Sequence, residues 1–187
     1  NSYTVAVGSQ AGHDITTGIE NTLIGALAGD ALTDADYNVA VGRSALTSDT
    51  LGSRSVAVGY QALAFQNFTT ATDSLNTAVG FSAGNQITTG QFNVLIGGLA
   101  GDALTDSDQN VAIGYKALTA DTMGRKSIAI GPSALKAQNF STNTSSFNVA
   151  IGADAGQAIT TGVRNTIIGG EAGDALTDAG SNVAIGY

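Results

Sequence analysis

The chain is predicted to fold as a parallel β-solenoid, and three observations carry that prediction. A short Gly-centred motif recurs eleven times, at spacings of 17, 17, 17 and 21 residues that then repeat. A longer unit, four such coils, returns every 72 residues. The composition pairs 25 Gly with a single Pro, only 12% charged residues and 43% hydrophobic residues drawn mostly from Ala, Val, Ile and Leu. That mixture suits short strands between tight turns better than long amphipathic helices.

The long unit is plain in the text of the chain. Ile15-Thr16-Thr17-Gly18 returns at 87–90 and 159–162, and the segment 28–34 returns at 100–106 and 172–178. The units run over about 4–75, 76–147 and 148–187 of one solenoid segment spanning 1–187. Internal repetition of this kind defines repeat architectures. Solenoids need polar caps on their terminal coils. Neither end shows one, so the segment is expected to be a piece of a longer array.

Within each coil the motif reads Asn or Ser (Thr4 in the first coil), a β-branched residue, an apolar residue that is mostly Ala, Val or Ile, then Gly. Its glycines are Gly8, Gly25, Gly42, Gly59, Gly80, Gly97, Gly114, Gly131, Gly152, Gly169 and Gly186. The Gly is expected to turn the chain where a Cβ would not be tolerated. Val or Ile stands one before it, as in Val41, Ile113 and Ile185, and Val, Ile or Thr stands three before it, as in Val39, Val111 and Thr166. Positions two apart share a strand face. These two columns are expected to fill the interior, each buried Val or Ile contributing roughly 1.5–3 kcal/mol. Asn four before the Gly (for example Asn21, Asn38 and Asn110) is expected to stack as an amide ladder at a corner.

The residue two before the Gly then points away from that interior. It is Ala6, Leu23, Ala40, Ala57, Ala78, Leu95, Ala112, Ala129, Ala150, Ile167 and Ala184 in turn. A strand face meeting water should carry polar residues there. This column is therefore expected to be an interface with another copy of the chain, as in a parallel homo-oligomer.

The strings Ser127-Ile128-Ala129-Ile130-Gly131, Asn110-Val111-Ala112-Ile113-Gly114 and Asn148-Val149-Ala150-Ile151-Gly152 resemble the head repeat of trimeric autotransporter adhesins, whose signature is Asn-Ser-Val-Ala-Ile-Gly. The resemblance extends over essentially the whole chain. It implies a left-handed parallel β-roll, a homotrimer, and a role in adhesion at a bacterial surface. Similar repeats also occur in phage tail fibres. These coils are longer than the usual head repeat, and no binding residue carries over by position.

The remaining chemistry argues against other function classes. With 15 acidic and 7 basic residues the net charge is -8, unsuited to nucleic acid, which needs clustered Lys and Arg. Cys is absent, so no disulfide or thiolate site forms. The longest apolar run, residues 94–101, is far short of the roughly 18 residues of a membrane span. The opening Asn1-Ser2-Tyr3-Thr4 is not a signal peptide. His13 stands alone at a variable corner, and no Ser or Thr has a base nearby in sequence, so no enzyme activity and no catalytic residue are expected.

Two loop features remain. Asp30, Asp34 and Asp36, repeated as Asp102, Asp106 and Asp108, form an acidic corner that is a candidate for Ca²⁺. Their spacing lacks the density of a calcium loop, and the preferred expectation is Asp capping turn amides, with no cofactor. The four extra residues of each long coil are expected to bulge outward, with Phe68, Thr70, Phe140 and Thr142 as possible recognition residues for a glycan or protein receptor. Thr16-Thr17 pairs raise ice binding, but they fall in one coil of four. The expected role is an adhesive fibre segment at a bacterial surface. The alternatives are a phage or viral tail-fibre shaft and a filament subunit joined end to end, so the location is extracellular, at a cell surface or on a virion.

Overall fold

In the computed structural model, which describes residues 3–187, the chain winds as a parallel β-solenoid. Asn1 and Ser2, half of the N-terminal tetrapeptide read above, lie outside the described residues. No described residue is helical. The strands in chain order are β1 (Val5–Val7), β2 (Thr22–Ile24), β3 (Val39–Val41), β4 (Gly52–Ser53), β5 (Val56–Val58), β6 (Thr72–Asp73), β7 (Thr77–Val79) and β8 (Val94–Ile96). They continue with β9 (Val111–Ile113), β10 (Gly124–Arg125), β11 (Ile128–Ile130), β12 (Thr144–Ser145), β13 (Val149–Ile151), β14 (Thr166–Ile168) and β15 (Val183–Ile185).

The eleven three-residue strands form one parallel sheet in the order β1-β2-β3-β5-β7-β8-β9-β11-β13-β14-β15. Motif positions pair with motif positions throughout: Ala6 lies opposite Leu23, Ala40 opposite Ala57, and Ala57 opposite Ala78 across a long coil. Coils of 17 and of 21 residues therefore advance the stack by one strand each.

The strands are short because the coil turns sharply on both sides. In the third coil, Tyr37, Ser44 and Leu46 all take left-handed φ, at 59°, 57° and 54°. Such a conformation costs a non-Gly residue about 1–2 kcal/mol. Hydrogen bonds between coils offset it: Ser44 N donates to Ala26 O at 2.9 Å and Leu46 N to Ala62 O at 3.0 Å. At Gly42, φ is 137° and a Cβ would lie 2.4 Å from Gly59 O, so this corner admits only glycine, as expected.

The interior is the reverse of the sequence expectation. The column two before the Gly points inward: Leu23, Ala40, Ala57, Ala78, Leu95, Ala112, Ala129, Ala150 and Ile167 are fully buried within the single chain. Ala6 is exposed and Ala184 half-buried, because they lie in the end coils. The proposed interface column is thus the core, and the two β-branched columns face outward. Ile24 is 41% exposed, and Ile96 and Ile151 are each 38% exposed. The reason is the cross-section of the coil. A three-residue strand sends one side chain to one face and two to the other, and the narrow lumen takes one side chain per strand, Ala in most coils and Leu or Ile where Gly29, Gly101 and Gly173 leave space.

Core volume is balanced between positions. Leu23 is accompanied by Gly29, where a Cβ would lie 2.8 Å from its Cδ2 and 2.7 Å from Leu32 Cδ1. In the next coil Ala40 leaves room, and the equivalent of Gly29 is the buried Leu46. The Asn ladder forms as expected, but inside the stack: Asn38 N donates to Asn21 Oδ1 at 2.9 Å, and Asn38 Nδ2 donates to Gly52 O at 2.9 Å.

The long coils are corrected too. Phe68 and Phe140 are only 5% and 6% exposed, so they are wall residues and not recognition residues. Each aromatic has apolar area to bury, and the extra length of chain lets it reach the wall. The added residues pair short strands, β4 with β6 and β10 with β12. Thr70 and Thr142 are exposed beside them.

Candidate interaction surface

The outward strand face is built by the same alternation that empties it from the core. Along the stack it presents Val or Ile one before each Gly and Val, Ile or Thr three before each Gly. Two corner columns border it. The leading corner, five before the Gly, includes Tyr37, Arg54, Leu75, Phe92, Lys126, Phe147 and Arg164, all exposed. The trailing corner, one after the Gly, includes Arg43, Tyr60, Phe81, Tyr115 and Pro132, again exposed.

These corners are ordered by contacts along the rod. Tyr60 and Phe81 stack with centroids 5.3 Å apart and planes 9° apart. The Arg43 guanidinium lies 5.7 Å from the Tyr60 ring centre, and its Nη1 donates to Tyr60 Oη at 3.3 Å. Arg54 sits over Tyr37 at 5.3 Å and pairs with Asp73 through Nε at 3.0 Å. Lys126 lies 5.2 Å from the Phe147 ring centre. Four of the seven basic residues, Arg43, Arg54, Lys126 and Arg164, thus rim an apolar face on a chain of net charge -8.

The six Asp residues read above as an acidic corner lie away from these two columns, each tied to a neighbouring coil. Asp30 accepts from Thr47 Oγ1 at 2.5 Å, Asp34 from Thr17 Oγ1 at 2.6 Å, and Asp36 from Ile19 N at 2.8 Å. In the second unit Asp102 accepts from Thr119 Oγ1, Asp106 from Thr89 Oγ1 at 3.2 Å, and Asp108 from Gln91 N at 2.9 Å. Arg125 Nη2 reaches Asp108 at 3.3 Å and Asp106 at 3.7 Å. Among the described residues no group of three or more His, Cys, Asp or Glu gathers to hold a metal ion. His13 is exposed and hydrogen-bonded to Asp14 at 2.7 Å. The Thr16 hydroxyl is engaged with Thr33 O at 3.2 Å. No described helix is long and apolar enough to cross a membrane.

A buried polar cluster in the third and fourth coils of the first two units escaped the sequence reading. Asp49 Oδ1 accepts from Gly52 N and Phe68 N, both at 3.0 Å, and Oδ2 accepts from Gln66 Nε2 at 2.6 Å. Gln66 Nε2 also donates to Ser55 Oγ at 2.9 Å, Gln66 Oε1 accepts from Asn76 Nδ2 at 2.9 Å, and Ser55 touches Ser74. Burial pushes the Asp49 carboxyl above its ordinary 3.8, against the opposing pull of those hydrogen bonds. The signal was present in the chain: Asp49 and Gln66 occupy the column that holds Ile15 and Leu32 in the first two coils.

Comparison with protein-family models, curated proteins and solved structures finds no match to this chain.

Proposed function

We propose that this chain is a structural segment of an extracellular fibre that self-associates through its outward strand face and supports adhesion at a bacterial surface. The observation that carries this reading is the continuous β-branched face bordered by exposed aromatics. Eleven strands at about 4.8 Å give a length of about 50 Å, and with its corners the face is about 20 Å wide. The face and its corners together cover about 1,000 Å², which meets the roughly 800 Å² per partner of a stable interface. Hydrogen-bonded coils with an Ala-rich core suit a rod.

The homotrimer is proposed from the resemblance to trimeric autotransporter heads. A receptor would meet surfaces left outside the assembly, where Thr70 and Thr142 stand exposed. A tail-fibre shaft or a filament subunit would use the same face. The test is the mass of the particle in solution for the chain and for a triple variant, Ile24→Asp, Ile96→Asp and Ile151→Asp. These side chains are already 41%, 38% and 38% exposed in the single chain, so the variant should fold. The chain is expected to sediment as an oligomer and the variant as a single chain. A monomeric unsubstituted chain would overturn the reading.

A further inference from the structure

We infer that Asn67 and Asn139, on the corners of the two long coils, are acceptor sites for an N-linked sugar. The inference does not depend on self-association. Three Asn stand two before a Ser or Thr with no Pro between: Asn67-Phe68-Thr69, Asn139-Phe140-Ser141 and Asn143-Thr144-Ser145. That tripeptide is the acceptor pattern of N-glycosylation on surface loops. The fold keeps it off the Asn ladder. Asn38 and Asn93 are fully buried there, and the residue two after each, Ala40 or Leu95, fills the lumen and has to be apolar.

The coil does not need an amide at either position. Both stand eight residues after a motif Gly, in a column that holds Thr in the other eight coils that reach it. Thr33 and Thr105 show what that column does. Their backbone N groups donate to Thr50 O and Thr122 O at 3.0 and 2.9 Å, and their hydroxyls donate to the same carbonyls at 3.0 Å. Asn67 and Asn139 keep the backbone bond, to Thr88 O and Thr160 O at 2.9 Å, and put an exposed amide where the hydroxyl would be. Its oxygen accepts from Thr50 Oγ1 at 3.2 Å in one coil and from Thr122 Oγ1 at 3.1 Å in the other. Those hydroxyls are also satisfied by Phe68 O at 2.9 Å and Phe140 O at 2.8 Å, so they do not depend on the amide. Among the described residues Nδ2 of Asn67 and of Asn139 makes no hydrogen bond, and this is the nitrogen that takes the sugar.

The buried aromatic completes the arrangement. Phe68 and Phe140 are held in the wall, and the residues on either side of each turn outward: Asn67 with Thr69, and Asn139 with Ser141, all exposed. Acceptor amide and recognition hydroxyl are thus presented together by a coil that is already folded. Asn143 is the contrast. Its Nδ2 donates to Asp106 Oδ2 at 3.0 Å, Ser145 is paired with Arg125 in β12, and the first unit has Ala71 in its place. In the folded chain it is not an acceptor. The co-reactant is a sugar activated at C1 on a diphosphate and brought by a separate transferase. The C1–Nδ2 bond forms, the C1–O bond breaks, and the diphosphate leaves with the electron pair. The transferase takes the displaced amide proton. A nucleotide diphosphate delivers one sugar, and a lipid diphosphate delivers an assembled oligosaccharide.

The test is mass spectrometry of peptides from the protein purified from the cells that produce it. Asn67 and Asn139 should carry sugar and Asn143 none. A single hexose on each supports the nucleotide donor, and an oligosaccharide the lipid donor. Bare Asn67 and Asn139 would overturn the inference. Sugar that persists on the same peptide in Asn67→Gln would lie on Thr69 or Thr70 and overturn the N-linkage. As a second measurement, the folded chain is incubated with uridine diphosphate glucose and a soluble N-glucosyltransferase. Asn67 and Asn139 should be modified without unfolding, and Asn143 only after it. A need to unfold the chain before Asn67 reacts would overturn the assignment. Asn67→Thr restores the residue of the other coils and should leave the melting temperature of the unmodified chain unchanged. A lowered value would overturn the claim that the coil does not need this amide.

Discussion

Gln66 Nε2 donates to Asp49 Oδ2 at 2.6 Å with both side chains fully buried, and one unit further on Gln138 repeats the contact with Asp121 at 2.5 Å. Polar side chains thus link the third and fourth coils of the first two units where aliphatic ones fill the first two coils.

This cluster makes stability depend on pH in a definite sense. The Asp49 carboxyl is raised above 3.8 in the folded chain by burial, so the folded state holds its proton more tightly than the unfolded state. Its contribution therefore falls as pH rises from the unfolded value of 3.8 through the raised folded one, and is level above that. Denaturation measured across this window should show the slope for the unsubstituted chain and lose Asp49's part of it in Asp49→Asn. The variant should also be less stable at neutral pH by about 1–3 kcal/mol, because its amide nitrogen faces the Gln66 donor.

Gly42→Ala should be strongly destabilising. The added Cβ would lie 2.4 Å from Gly59 O at a φ of 137°, and backbone cannot give way as a flexible side chain can. A loss above about 2 kcal/mol is expected, read as a lowered melting temperature. Gly98→Ala, with ordinary φ and an open Cβ position, should leave the folded coil unchanged by the same measurement.

Asn110→Ala should cost about 2 kcal/mol or more, since two buried partners lose their bonds at once. Asn110 Nδ2 donates to Gly124 O at 2.9 Å, and Asn110 Oδ1 accepts from Ser127 N at 2.9 Å. Amide hydrogen exchange at Ser127 should accelerate, and protection in coils far along the stack should change least.

Adjacent substitutions on one strand should separate core from face. Ala112 is fully buried and Ile113 half-buried on the opposite side. Ala112→Asp places a charge in the lumen and should unfold the surrounding coils, read as loss of the β circular dichroism signal. Ile113→Asp should retain that signal while weakening association, read by sedimentation. Dissociation of a folded chain by Ala112→Asp would show that the inward column had been misassigned.

Phe68→Ala should cost about 3 kcal/mol in stability, as a large side chain removed from a packed site does. Truncating the exposed Thr70 should cost almost nothing. Melting curves of the two variants make the comparison.

The coil, its 17- and 21-residue lengths and its parallel stacking were legible in the chain because they are periodic. Gly at one fixed position and Val or Ile one before it record a geometry that every coil must satisfy, with Asn four before it in most coils, and identical register in β2, β3 and β5 follows from that. Strand alternation was legible as well: neighbouring positions had to lie on opposite faces. Which face was inside was not. Alternation assigns Ala40 and Val41 to opposite sides without saying which side has room, and hydrophobicity favoured the larger residue. Only the closed coil, with corners at Tyr37, Gly42, Ser44 and Leu46 narrowing its lumen, decides that Ala40 is enclosed and Val41 faces out. The same closure carries Phe68 into the wall and leaves two apolar columns outside, where the sequence reading had placed the core.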